Sequence, residues 1–157
     1  VIVGDVEMGS FHGRFDYSID AKGRVNIPAK FRKSLSPEAE ETFIICRAPD
    51  GCLRAYPNDL WKAYETELAS RPETPETLRH KRLLYSTLAE STLDAQGRIS
   101  LTSAQMTLAG ITKDISLVGQ ANYIEIWDTM KYDSYLSSAD DFDSVFFQSV
   151  EAGIAKK

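Results

Sequence analysis

Asp20-Ala21-Lys22-Gly23-Arg24-Val25-Asn26-Ile27-Pro28 decides how this chain reads, because it occurs twice. Displaced by 74 residues, Leu93-Asp94-Ala95-Gln96-Gly97-Arg98-Ile99-Ser100-Leu101 lies over Ile19 to Ile27, with Asp, Ala, Gly and Arg identical and the other apolar positions conservatively exchanged. Asp20 and Asp94 open a tight turn whose N–H groups a carboxylate can cap, and Gly23 and Gly97 fill the position that takes positive φ. A turn of this kind with a left-handed glycine joins hairpin strands through a bulge. Val25-Asn26-Ile27 and Ile99-Ser100-Leu101 alternate as half-buried strands do.

The repeat extends outward from the turns. Phe43-Ile44-Ile45 lies over Ile115-Ser116-Leu117, Leu53 to Tyr56 over Ile124 to Trp127, and Trp61 and Tyr64 over Tyr132 and Tyr135. Each copy therefore reads as strand, turn and strand, ending at Pro28 or Thr102. A short helix follows (29–35; 103–109), then two strands (42–47 and 52–56; 114–118 and 122–127) and a closing helix (58–69; 129–137). Leu60, Trp61, Tyr64 and Leu68 have the spacing of one apolar helix face, and Asp128 is placed to cap the second closing helix. Arg71-Pro72-Glu73-Thr74-Pro75-Glu76 is a linker, and a further helix is expected over 76–88 with Leu78, Leu84 and Leu88 on one face. Phe142, Val145, Phe146 and Val150 make an acidic amphipathic tail within 140–157, with Ala152 to Lys157 frayed. The units are 11–70, a linker and connecting helix at 71–88, 89–137, and an acidic C-terminal helix or tail at 138–157.

Composition narrows the function. The 157 residues carry 18 basic and 23 acidic side chains, a net charge of −5. Residues 12–33 nevertheless hold six bases against two acids, while 114–151 hold eight acids against Lys131 alone. An acidic protein can bind a polyanion when its bases converge on one face. Cys46 and Cys52 lack metal-ligand spacing and read as partly buried small apolar groups in a reducing compartment. No apolar run approaches the ~20 residues of a membrane helix. Residues 1–10 carry acids and no basic stretch, unlike a signal peptide. Neither turn brings a nucleophile, a histidine or a metal ligand, so no catalytic residue, metal or cofactor is expected. For Arg24 and Arg98 two readings stand. One is a local ion pair with the aspartate four residues earlier, worth ~0–1 kcal/mol if exposed. The other is contact with phosphate or guanine, which the guanidinium fork matches; it is preferred, because so small a worth is a weak reason to keep one residue in both copies.

Asp20 to Pro28 resembles the swapped-hairpin signature of AbrB-like DNA-binding proteins and antitoxins, and two such signatures in one chain resemble the MraZ family. Phe11-His12-Gly13 resembles that family's N-terminal Phe-x-Gly, Arg82-Leu83-Leu84 its central basic helix, and Leu117 through Asp128 its second half. The likeness covers about residues 11–137. It implies an α+β fold in which two tandem swapped-hairpin units form one pseudo-twofold β-barrel with flanking helices. It implies a ring-shaped homo-oligomer and a cytoplasmic, nucleoid-associated transcriptional regulator that binds short promoter repeats in double-stranded DNA at the division and cell-wall gene cluster. No membrane or small-molecule substrate is implied. Arg14, Lys22, Arg24, Lys30, Arg32 and Arg98 are the expected DNA contacts, and Asp20, Gly23, Asp94 and Gly97 the turn formers. Lys22 becomes Gln96 and Pro28 becomes Thr102, so the first copy is expected to be the principal contact. Arg79, His80, Lys81 and Arg82 form a second basic cluster, read as a solvated helix face. The rival readings are an AbrB-like antitoxin, an oligomeric scaffold, and an enzyme on a related barrel.

Overall fold

The computed structural model describes residues 2–3, 6–7, 10–138 and 141–155. Two short strands, β1 (Ile2–Val3) and β2 (Val6–Glu7), pair with each other ahead of the repeat. The first copy contributes β3 (Arg14–Ser18), β4 (Arg24–Asn26), α1 (Ala29–Lys33), β5 (Thr42–Arg47), β6 (Leu53–Pro57) and α2 (Asn58–Ser70). After the connecting helix α3 (Pro75–Tyr85), the second copy repeats the series as β7 (Ala89–Thr92), β8 (Arg98–Ser100), α4 (Ser103–Ala109), β9 (Asp114–Gly119), β10 (Ile124–Asp128) and α5 (Thr129–Ser138). A final helix, α6, spans Phe142–Ala155.

The turns do not make local hairpins. β3 pairs with β9 of the other copy, β7 pairs with β5, and β4 pairs with β8, all antiparallel. The main sheet runs β3-β9-β10-β6-β5-β7, and β4-β8 is a separate two-stranded ribbon. The main sheet is open, with β3 and β7 at its edges, rather than the closed barrel that the resemblance implies. Edge β3 carries Arg14 and Asp16 on its exposed side, charges that discourage pairing with another sheet.

The register is symmetric. Val25 faces its own repeat equivalent Ile99 across the ribbon, and Arg54 faces its equivalent Glu125 across β6 and β10. A pseudo-twofold axis therefore passes through both pairs. Around it lies one apolar core: Val25 and Ile99 of the ribbon pack with Phe43, Ile45, Leu53, Ile115, Leu117, Ile124 and Ile126 of the sheet, and with Phe11 and Phe31. Complete burial of each such side chain contributes about 1.5–3 kcal/mol.

β5 reads as a continuous apolar run, and β9 as one interrupted by the buried Ser116, because both strands are covered on both faces. Phe43 and Ile45 enter the central core, while Ile44 and Cys46 pack with Trp61 and Leu68 of α2 and Leu84 of α3. Ile115 and Leu117 enter the core, while Val118 packs with Cys52 and Trp127, and with Tyr132 of α5. Both cysteines are buried and free, and burial pushes the thiols up, to about 11 for Cys46 and about 12 for Cys52.

Helix ends follow the local sequence. Thr102 caps α4 through a reciprocal pair with Gln105, an arrangement Pro28 cannot make at α1. Gln105 is fully buried and also donates to the carbonyls of Ile45 and Thr87, both at 3.0 Å. Its repeat equivalent, Phe31, fills the aromatic core instead. Asp128 accepts from the Lys131 N–H at 3.1 Å and so starts α5. α3 is shorter than 76–88, because Ala89 already enters β7; Leu84 is its buried residue. α6 runs to Ala155 and so includes the start of the segment expected to fray, Ala152 to Lys157; Lys156 and Lys157 lie outside the described residues.

Gly23 and Gly97 differ in what surrounds them. A Cβ on Gly23 would lie 2.8 Å from the Leu101 carbonyl oxygen, whereas one on Gly97 would meet only the Arg32 side chain, at 2.9 Å. Both have φ near +75° (77° and 74°), which an L side chain disfavours by about 1–2 kcal/mol. Gly97→Ala should therefore cost about 1–2 kcal/mol and Gly23→Ala about 2–4 kcal/mol, since backbone cannot swing aside. Urea unfolding of the two variants measures the difference, and equal losses would contradict the crossed packing at Gly23.

Candidate nucleic-acid interface

The two turns are built alike. The Asp20 carboxylate accepts from the Lys22 and Arg24 backbone N–H groups (2.9 and 2.8 Å) and from Arg24 Nε (2.6 Å). Asp94 accepts from the Gln96 and Arg98 backbone N–H groups (both 2.9 Å) and from Arg98 Nε (2.8 Å). In each, the glycine N–H closes the turn on the aspartate carbonyl, at 3.0 Å for Gly23 and 2.9 Å for Gly97. The local ion pair is thus present in both copies, and it uses one edge of each guanidinium. Among the described residues the Arg24 Nη atoms make no hydrogen bond.

Each turn is also bonded to the opposite copy. The Leu101 N–H donates to the Gly23 carbonyl at 2.8 Å and the Ile27 N–H to the Gly97 carbonyl at 3.0 Å. Arg98 Nη1 lies 3.8 Å from Asp20 Oδ2, so one turn's arginine approaches the other turn's aspartate. The two motifs, 74 residues apart in sequence, form one continuous feature.

The ribbon has two faces. Val25 and Ile99 are buried. Asn26 and Ser100 are exposed on the other face, beside the half-buried Arg24 and Arg98. Register places Arg24 opposite Ser100 and Asn26 opposite Arg98. The outward surface is thus two arginines, an amide and a hydroxyl on a rigid two-stranded frame.

The expected site residues separate into two groups. Lys22 and Lys30 are exposed, in the first turn and on α1. Arg32 donates from Nε to the Ile27 carbonyl at 3.1 Å and lies against Gly97, so this first-copy arginine serves the second turn. Its repeat equivalent, Met106, approaches the Cβ position of Gly23 at 3.5 Å and brings no charge. The deficit left by Gln96 is therefore offset by Arg32 arriving from the other copy, and the two turns are closer in charge than the sequence comparison suggests.

Arg14 stands elsewhere. It bonds Asp16 (2.9 Å) and Asp133 (2.8 Å), approaches Ser116 Oγ (3.4 Å), and sits 5.2 Å from the Tyr132 ring centroid. These contacts fasten α5 to β3. The bonds from Asp16 and then Asp133 raise the Arg14 pKa further, and the Arg14 bond holds the Asp16 carboxyl below its ordinary value. Nothing in the sequence marks Asn26 and Ser100 as site residues beyond the strand alternation at Val25 and Ile99, which turns them outward.

Among the described residues no group of three or more His, Cys, Asp or Glu is arranged to hold a metal, and no helix is long and apolar enough to cross a membrane. Both turn carboxyls are held below their ordinary value of 3.8. The Arg24 backbone N–H is the largest cause at Asp20 and the Arg98 backbone N–H at Asp94, with the guanidinium and the second backbone donor adding to each. A carboxyl depressed in the folded chain stabilises it fully above the unfolded value, and that stability is lost as pH falls through the folded value. Between about pH 6 and about pH 2.5 the native chain should lose more stability than Asp20→Asn/Asp94→Asn, measured by urea unfolding at each pH. Parallel curves would contradict the capping role.

The chain matches the family model described as "MraZ protein, putative antitoxin-like" over residues 10–82 and again over 84–149. It is 38% identical to the transcriptional regulator MraZ of Natranaerobius thermophilus over 146 residues, covering 92% of this chain and 99% of that protein. It is 37% identical to the transcriptional regulator MraZ of Nitratidesulfovibrio vulgaris, covering 92% and 96% of the two chains. For the protein of the same name from Limosilactobacillus fermentum the identity is 40%, covering 86% and 93%. The family is one of transcriptional regulators and not of enzymes. With two matches that together span most of its length, each containing one of the two turns, the chain belongs to the MraZ family.

Proposed function

We propose that the chain is a sequence-specific transcriptional regulator and that the outward face of the β4–β8 ribbon is its DNA-binding surface. The observation that carries this reading is the side-chain set on that face: Arg24, Asn26, Arg98 and Ser100, with Lys22 and Arg32 beside it. A two-stranded ribbon fits the major groove of B-DNA, where arginine reads guanine and asparagine reads adenine through paired hydrogen bonds. Each aspartate fixes its arginine by Nε, which leaves the Arg24 Nη atoms without a hydrogen bond among the described residues and Arg98 Nη1 only loosely engaged, 3.8 Å from Asp20, so little side-chain freedom is lost on binding. In this proposal Lys22 and Lys30 contact phosphate, and Arg14 supports the fold rather than the DNA.

The overall charge of −5 opposes binding by a lone subunit, although the convergence of bases on the ribbon face offsets it locally. The resemblance to the family supports a ring-shaped oligomer on short promoter repeats of the division and cell-wall gene cluster, in the cytoplasm at the nucleoid. Repetition of the ribbon around a ring would raise avidity by about 10²–10⁴ through effective concentration.

Fluorescence anisotropy with the duplex upstream of the protein's own gene tests this. Affinity should fall steeply with salt, each neutralised phosphate adding about −0.9 to the logarithmic slope. Arg24→Ala/Arg98→Ala should weaken binding by at least about tenfold, and Asn26→Ala should mainly reduce discrimination between sequences. If the folded double-arginine variant binds as tightly as the native chain, the ribbon is not the interface.

A further inference from the structure

Two surface features serve neither the fold nor the DNA face. The first is α6, on which every described side chain from Phe142 to Ile154 is exposed. Phe142, Val145, Phe146, Val150 and Ile154 recur at helical spacing, Phe147 flanks them, and Phe142 and Ile154 are 77% and 65% exposed. Together they present an apolar stripe on the order of 500 Å², near the upper end of what a monomer carries. Asp143 and Glu151 accompany the stripe, and Asp141 caps the helix by accepting from the Ser144 N–H at 2.9 Å. The second feature is the outward side of α3. Leu84 turns inward onto Trp61, which leaves Arg79, Arg82 and Leu83 exposed, Leu83 to 44%.

The two are complementary: α6 is apolar with acids, and α3 is basic with an exposed leucine. We propose that α6 of one copy docks on α3 of a second copy of this chain. Pairing of α6 with another α6 would set acid against acid, whereas α6 on α3 sets Asp143 and Glu151 toward Arg79 and Arg82. The two surfaces differ, so the contact is head-to-tail, and repeated head-to-tail contacts close into a ring when the rotation permits. The inference rests on the oligomer proposed above and assigns its subunit contact.

Sedimentation of the full chain without DNA tests it, with circular dichroism confirming the fold of each variant. Phe146→Ser/Ile154→Ser alters only exposed side chains and should weaken association by at least about tenfold. Arg79→Glu/Arg82→Glu and, separately, Asp143→Lys/Glu151→Lys should each dissociate the assembly, and mixing these two charge-reversed proteins should restore it. Native mass for the α6 apolar variant, or no restoration on mixing, would overturn the α6–α3 contact while leaving an oligomer built some other way. A monomeric native chain would overturn both the contact and the ring, and DNA binding by the ribbon would stand or fall on its own measurement.

Discussion

The exchange of backbone hydrogen bonds between the two turns is the constraint on which the rest of the structure depends. The Gly23 carbonyl accepts from Leu101 and the Gly97 carbonyl from Ile27. Neither copy can complete its turn region alone, since β3 and β4 find their partners in β9 and β8. Crossing places the pseudo-twofold axis through Val25 and Ile99 and forces both copies to share a single core. The inner ribbon face is thereby committed to packing, and the outer face becomes one surface assembled from two distant segments.

The symmetry of the frame is not matched by symmetry of its side chains. Phe31 packs where the equivalent Gln105 hydrogen-bonds, Pro28 begins a helix that Thr102 caps, and Arg32 occupies the place of Met106. The last exchange matters most for charge, because Arg32 lies against the turn that Gln96 leaves less basic. Arg54 facing Glu125 on the axis shows the same divergence: Arg54 stacks 4.4 Å from the Tyr123 ring centroid and bonds the Tyr56 hydroxyl, while Glu125 accepts from Trp127 and Gln120. A fused repeat can specialise in this way, whereas a dimer of identical chains cannot.

Much of this was legible in the sequence, for identifiable reasons. Asp, Gly and the alternating Val25-Asn26-Ile27 report local backbone demands, and the turns, the strands and the helix faces followed from them. Strand partnership did not. A turn of four residues looks the same whether its flanking strands pair with each other or with a second copy, so the crossing is invisible to local patterns. For the same reason the position of Arg32 beside Gly97 could not be read from a repeat alignment. Proximity in sequence groups Arg14 with the basic segment, yet β3 carries it away to Asp16 and Asp133. The open sheet, in place of a closed barrel, arises from the ribbon pairing separately from the six main strands.

On the proposed function, both turns meet DNA together as one ribbon. Hydrogen–deuterium exchange of the native chain, with and without the duplex upstream of its own gene, measures this. DNA should increase protection in peptides covering both 20–32 and 94–100, to a similar extent. Protection confined to one turn, or located on α3 instead, would contradict it.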